Sequence, residues 1–281
     1  MLKNQIKTVI LLGAMTGLLL GIGRFIGGTG GLVIALVFSI GMNLSMWWWS
    51  DKIVLWMYGA KPADAKTHSH LFAIVKEVSG KAELPMPKVY IIPSESPNAF
   101  ATGATPSRAA VAVTEGIMNL LTEKELRGVL GHELAHVKNR DTLVTTVAAC
   151  IAGVISYIAS MARWTAIFGG MGSRDDGPNI GELIAITVIT PLIAMMIQLA
   201  ISRSREYLAD ERGSRIVGDP LALASALKKL EAGSRHIPLN GSPATSSLFI
   251  VNPLSGNAVF KLLSTHPPIQ ERVKRLEGMK V

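Results

Sequence analysis

Four apolar runs divide the chain into alternating hydrophobic and polar blocks, at residues 8–26, 30–49, 143–161 and 180–201. Each is close to the roughly 20 residues that carry a helix across a hydrocarbon core. Arg24 lies near the end of the first run, where its long side chain can snorkel. Trp47, Trp48 and Trp49 close the second run just before Asp51 and Lys52, the place of an interfacial anchor. Pro191 stands inside the fourth run, where a helix bundle tolerates a kink. The pattern predicts four transmembrane helices. The first run does not read as a cleaved leader, because no small-residue cleavage site follows it and a second run starts within a few residues.

The polar blocks carry shorter signals. Helical spacing runs over residues 63–78. Residues 87–92 (PKVYII), 98–102 (NAFAT) and 109–113 read as short strands. Residues 122–138 read as a helix: Thr122 and Glu125 form a capping-box pattern, and Leu126, Val129, Leu130 and Leu134 make one apolar face. Further helices are predicted at 202–217, 221–232 and 268–276, with a loop rich in Ser, Pro, Gly and Asn at 240–257. The expected fold is a mainly α integral membrane protein with an α+β domain built on a small β-sheet.

Composition agrees with a membrane protein. Charged residues make up 17% of the chain and hydrophobic ones 49%, against about 25% charged in an ordinary soluble domain. The net charge of +8 forms no basic stripe interleaved with aromatics, so nucleic acid is excluded as a partner. Cys150 is the only cysteine, which rules out an intrachain disulfide. Lys3, Lys7, Lys52, Lys61, Lys66, Lys138, Arg140, Arg203 and Arg205 fall on one side of the four spans, while the other side offers Arg24, Arg163 and Arg174. The positive-inside rule then puts both termini and both polar blocks in the cytoplasm. The predicted organisation is two spans in 1–50, the first part of a cytoplasmic domain in 51–142, a membrane hairpin in 143–201 and the second part of the domain in 202–281.

The chemistry concentrates at residues 131–141, GHELAHVKNRD. Residues four apart on a helix stack on one face, so His132 and His136 can aim two imidazoles at one ion. Moving either by one position would turn it about 100° away. Glu133 is placed to reach a water held on that ion, as the general base of the H-E-x-x-H zinc pattern. A catalytic zinc site needs a third protein ligand and an open position. In SREYLADERGS (204–214), Glu206 and Asp210 lie four apart. Glu206 could be that ligand, and Asp210 could accept the spare N–H of a zinc-bound histidine. Taken alone, this segment reads as a solvated acidic-basic helix. Paired with HELAH across one membrane hairpin, it reads better as the other half of a zinc site.

HELAHVKNRD, then a membrane hairpin, then SREYLADERGS resembles the HtpX family of membrane zinc proteases, which are gluzincins related to the CAAX prenyl endopeptidases. The likeness runs over nearly the whole chain and includes PNAFATG (97–103) and THPPIQERV (265–273). It implies an endopeptidase of the cell inner membrane, multi-pass with a cytoplasmic active site. Its partners would be the lipid bilayer and protein or peptide substrates, above all damaged membrane proteins under stress. It implies one Zn2+ per chain on His132, His136 and Glu206, with Glu133 as the base. Asn98, Ala99, Phe100 and Ala101 would form an edge strand beside the cleft, offering backbone groups to an extended peptide, with the Asn98 amide on substrate backbone. His266 and Arg272 would lie near the cleft and stabilise the oxyanion. Asp141 is either a cap between the catalytic helix and the third span or an interfacial turn residue. His68, His70 and His236 match nothing and are expected at the surface. Two rival readings are a non-catalytic adaptor or metal sensor, and a CAAX-type endopeptidase. Glu133 argues against the first, since a structural zinc needs no base. The small number of spans argues against the second.

Overall fold

The computed structural model describes residues 2–148, 203–236, 250 and 267–280. Most of the third predicted span, the fourth span, nearly all of the 240–257 loop, Cys150 and His266 lie outside these residues. The chain starts with one long helical element, α1 (Leu2–Met57), which folds back on itself at Gly27 and Gly28. Gly28 takes φ 58° and ψ −136°, a conformation open to glycine because it has no Cβ. The two arms then touch: a Cβ on Gly31 would stand 2.2 Å from the Gly23 carbonyl oxygen, and Asn43 Nδ2 donates to Thr16 Oγ1 at 2.8 Å. Among the described residues, one helix is long and apolar enough to cross a membrane, Gly27–Met46. The apolar stretch of the first arm, Leu12–Gly21, is shorter than a span. The returning arm continues past the predicted end at Trp49 to Met57.

Four strands form one mixed sheet in the order β1-β2-β4-β3: β1 (Lys61–Pro62), β2 (Lys88–Ile92), β3 (Ala99–Thr102) and β4 (Ala110–Thr114). β2 and β4 are parallel, while β1 and β3 run antiparallel at the two edges. Strand alternation gives the sheet two faces, and both are apolar. Val89, Ile91, Ala99, Ala101, Val111 and Val113 join a core with the helices of the polar region. Ile92, Phe100, Ala110 and Ala112 pack against Met46, Val54 and Leu55 of α1. Phe100 is fully buried, with its ring 5.7 Å from that of Tyr58.

The helices on the main core are α2 (Ser69–Lys81), α3 (Glu115–Leu120), α4 (Glu123–Asn139), α5 (Arg203–Val217), α6 (Pro220–His236) and α7 (Ile269–Glu277). α2 starts six residues later than its apolar spacing suggests. Lys61 and Pro62 pair with β2, and Asp64 then closes a turn by accepting from the Thr67 N–H at 3.2 Å. α4 begins with the predicted capping box of Thr122 and Glu125. The same carboxylate accepts from Ser225 and Lys229 of α6, so the cap also joins two helices. α4 ends at Arg140, whose φ of 57° is left-handed. Residues 142–148 begin the third apolar run as helix. They are fastened to the sheet edge by Thr142 Oγ1 donating to the Gly103 carbonyl at 2.8 Å and by a Thr102–Thr146 hydroxyl pair at 2.9 Å.

Candidate active site

The site forms where α4 and α5 cross, and glycine sets the distance between them. A Cβ on Gly213 would stand 2.6 Å from the His132 nitrogen, and one on Gly131 would stand 2.8 Å from the Gly213 carbonyl oxygen. The helices run antiparallel, so two turns from this crossing Glu206 of α5 comes level with His136 of α4.

His132, His136 and Glu206 each contribute a donor atom, all within 4.8 Å of one another. The two Nε2 atoms are 3.3 Å apart. His132 Nε2 lies 3.6 Å from Glu206 Oε2, and His136 Nε2 lies 3.5 Å from Glu206 Oε1. A tetrahedral ion with zinc-to-ligand bonds of about 2.0–2.2 Å has ligand-to-ligand edges of about 3.3–3.6 Å. The donor set therefore fits zinc in type, and with the two Glu206 oxygens each facing one imidazole it is gathered closely enough to hold one ion. The electrostatics also suit a cation. Burial works against a charged His136, but Glu206, Asp141 and Glu133 outweigh it and raise its pKa to about 9. His132 is held below the usual imidazole value, chiefly by burial.

Each histidine is braced on its other ring nitrogen. His132 Nδ1 lies 2.8 Å from Asp210 Oδ1. His136 Nδ1 lies 3.3 Å from Asp141 Oδ2. Arg272 is fully buried and grips Asp210 with two hydrogen bonds, Nε to Oδ2 at 2.8 Å and Nη2 to Oδ1 at 2.7 Å. Burial would raise the Asp210 pKa, but the Arg272 charge and hydrogen bonds hold it well below the carboxylate range. Nη1 of Arg272 donates to the Ile250 carbonyl. Arg272 thus sits on the Nδ1 side of His132, behind the imidazole. There it holds Asp210 from the side away from the imidazole's Nε2.

Glu133 is buried beside the donor cluster, and its carboxyl pKa is pushed up to about 7, first by burial and then by the Glu206 charge. Its Oε2 accepts the Ala101 N–H at 2.8 Å. Asn98 faces β4, accepting from the Thr114 N–H, so alternation turns the backbone groups of Ala99 and Ala101 to the free side of β3. The Ala99 N–H is taken by Asn98 Oδ1 at 3.1 Å. Asn98, Ala99, Phe100 and Ala101 are all buried. The Phe100 side chain belongs to the α1 side of the sheet, and the Asn98 carboxamide is engaged within its own strand. His70 is exposed and paired with Glu123. Arg205, close behind Asp141, and the contact of Asp141 with His136 were not legible in the sequence. The one available signal was the spacing of Asp141 after His136, and that spacing works only with the left-handed turn at Arg140.

Comparison with known proteins gives a consistent result. The model of peptidase family M48 matches residues 65–280. The chain is similar to the protein named "Protease HtpX homolog" of Desulfatibacillum aliphaticivorans, at 53% identity over 98% of this chain and 89% of that one. Proteins of the same name from Thermodesulfovibrio yellowstonii and Thermococcus kodakarensis are 54% and 50% identical, over 98% and 96% of this chain and 98% and 94% of theirs. Among solved structures, the crystal structure of S. mikatae Ste24p superposes with a TM-score of 0.51 at 20% identity. That superposition covers 98% of this chain and spans 66% of that protein's length, and it is a likeness of fold.

Proposed function

This chain belongs to peptidase family M48 and is a metalloprotease, and we propose that it is a zinc-dependent endopeptidase working at a membrane surface. The observation that carries this reading is the cluster of His132, His136 and Glu206, which bring one donor atom each within 4.8 Å of one another. These three residues would hold the ion. Bound there, zinc supplies a Lewis acid for the scissile carbonyl and the attacking water.

The chain's own groups do the rest. Glu133 takes the proton from the attacking water and passes it to the leaving amine. The substrate lies extended along β3 and pairs with the outward backbone groups of Ala99 and Ala101. Such pairing draws the Ala101 N–H away from Glu133 and frees its carboxylate for the reaction. Asp210, with Arg272 behind it, keeps His132 turned to the ion.

The four apolar runs would be four spans with both termini inside, a reading supported by the distribution of Lys and Arg around them and by the apolar hairpin of α1. The cleft then faces the cytoplasmic segments of membrane proteins, its proposed substrates. The deciding experiment uses detergent-solubilised full-length protein and an unstructured protein substrate. Glu133→Gln should keep a full zinc complement and lose cleavage by at least about 100-fold, in line with the loss of a general base. Wild-type cleavage by that variant would refute the mechanism.

A further inference from the structure

We propose that Asp141, backed by Arg205, is the positioning residue for His136, and that it forms the second of two parallel braces behind the metal ligands. This rests on the reading of His136 as a ligand. The first brace is Arg272–Asp210–His132. The second has the same order of parts, Arg205–Asp141–His136, but reaches the site by another route.

α4 stops at Arg140 with a left-handed φ. The chain reverses there, and the Asp141 N–H donates back to the His136 carbonyl at 3.0 Å. The reversal swings the Asp141 side chain onto the imidazole of the residue five positions earlier, with Oδ2 at 3.3 Å from Nδ1. An aspartate at this position of a continuing helix would instead lie well round the axis from His136. Asp141 is 3% exposed, and a carboxylate so enclosed needs a counter-charge. Arg205 supplies it, with Nη1 at 4.0 Å from Oδ1. The Arg205 guanidinium is itself enclosed. Among the described residues, Nη1 and Nη2 meet no hydrogen-bond acceptor. Arg205 also immediately precedes Glu206 on α5. The pair therefore ties the end of the histidine helix to the start of the glutamate helix at the metal donors.

The consequence is a division of labour. Asp141 fixes the ring plane of His136 and keeps Nε2 turned to the ion, while Arg205 holds Asp141 in place. The test uses full-length protein in detergent, with zinc affinity read by chelator competition and ligand geometry read from the visible spectrum of the cobalt-substituted protein. Asp141→Asn should weaken zinc binding about 10- to 100-fold, the range for lost outer-shell partners, shift the cobalt spectrum and lower kcat with little change in KM. Asp141→Glu should restore part of the affinity. Arg205→Gln should act in the same direction, and the double variant should be no worse than Asp141→Asn alone, as members of one unit behave. Wild-type affinity and spectrum in Asp141→Asn, or additive losses in the double variant, would overturn the proposal. His136→Ala is the control for its premise. If that variant binds zinc as tightly as the wild type, the ligand assignment falls and the brace falls with it. If it loses zinc while Asp141→Asn does not, only the brace is refuted.

Discussion

Arg272 carries a charge in a fully enclosed position, and its removal should be among the most damaging single changes in the chain. Arg272→Ala leaves the Asp210 carboxylate buried without its partner, a situation that costs about 3–5 kcal/mol. Denaturant unfolding in micelles should show that loss, and an unchanged midpoint would mean the pair does not stabilise the fold. Arg272→Lys should recover only part of it, because an ammonium cannot reproduce the two-pronged grip on Oδ1 and Oδ2. At this scale the sequence is legible where chemistry is local. His132 and His136 share a face because of a four-residue spacing that any helix obeys. The Asp210–Arg272 pair spans 62 residues, and no local rule places a guanidinium behind an imidazole. The grip of Arg272 on Asp210 therefore shows only in the packing.

At the scale of elements, the approach of α4 and α5 is the controlling distance. Gly213→Ala sets a Cβ against backbone at 2.6 Å. It should destabilise by about 1–3 kcal/mol, as overpacking does, and should weaken zinc binding by prising Glu206 from the histidines. Gly80→Ala is the matched control: nothing lies within 4 Å of its added Cβ, so it should be neutral or stabilise α2 by up to about 1 kcal/mol. Equal effects on zinc affinity from the two changes would count against the crossing as the spacer. The α4 cap makes a second prediction. Burial opposes ionisation of Glu125, but Lys229, Ser225 and Thr122 outweigh it and lower its pKa from 4.5 to about 2. A depressed folded-state value means its contribution is complete above about pH 4.5 and fades as pH falls toward 2. Hydrogen-exchange protection at the start of α4, corrected for the intrinsic rate at each pH, should fall across that window in the wild type, and Glu125→Gln should flatten the response. Thr122, Glu125 and the apolar face behind them made α4 readable in advance. β1 was not readable, being two exposed residues whose only mark is pairing with Tyr90 and Ile91. α3 is six residues long, too short for apolar periodicity to register.

At the scale of the whole molecule, the four-run pattern suggests a working domain in two parts with a membrane hairpin inserted between them. The packing is more interlocked. One face of the sheet rests on α2, α4 and α6, and the other on the last turns of α1. β3 is held from both directions, by Phe100 against Met46, Leu55 and Tyr58, and by Thr102 and Gly103 against the helix that opens the third apolar run. Phe100→Ala should cost about 3–5 kcal/mol, the range for a large buried side chain, and should slow cleavage by loosening the strand proposed to hold substrate. Loss of stability with no change in KM would separate the two roles. This arrangement also decides what happens if the chain is cut at Gly59, the exposed residue just after α1. Such a cut strips Val54, Leu55 and Tyr58 from Ile92 and Phe100, so the remaining piece carries a sticky apolar flank and a slack β3. Clipping at Gly59 would switch this enzyme off rather than merely trim it.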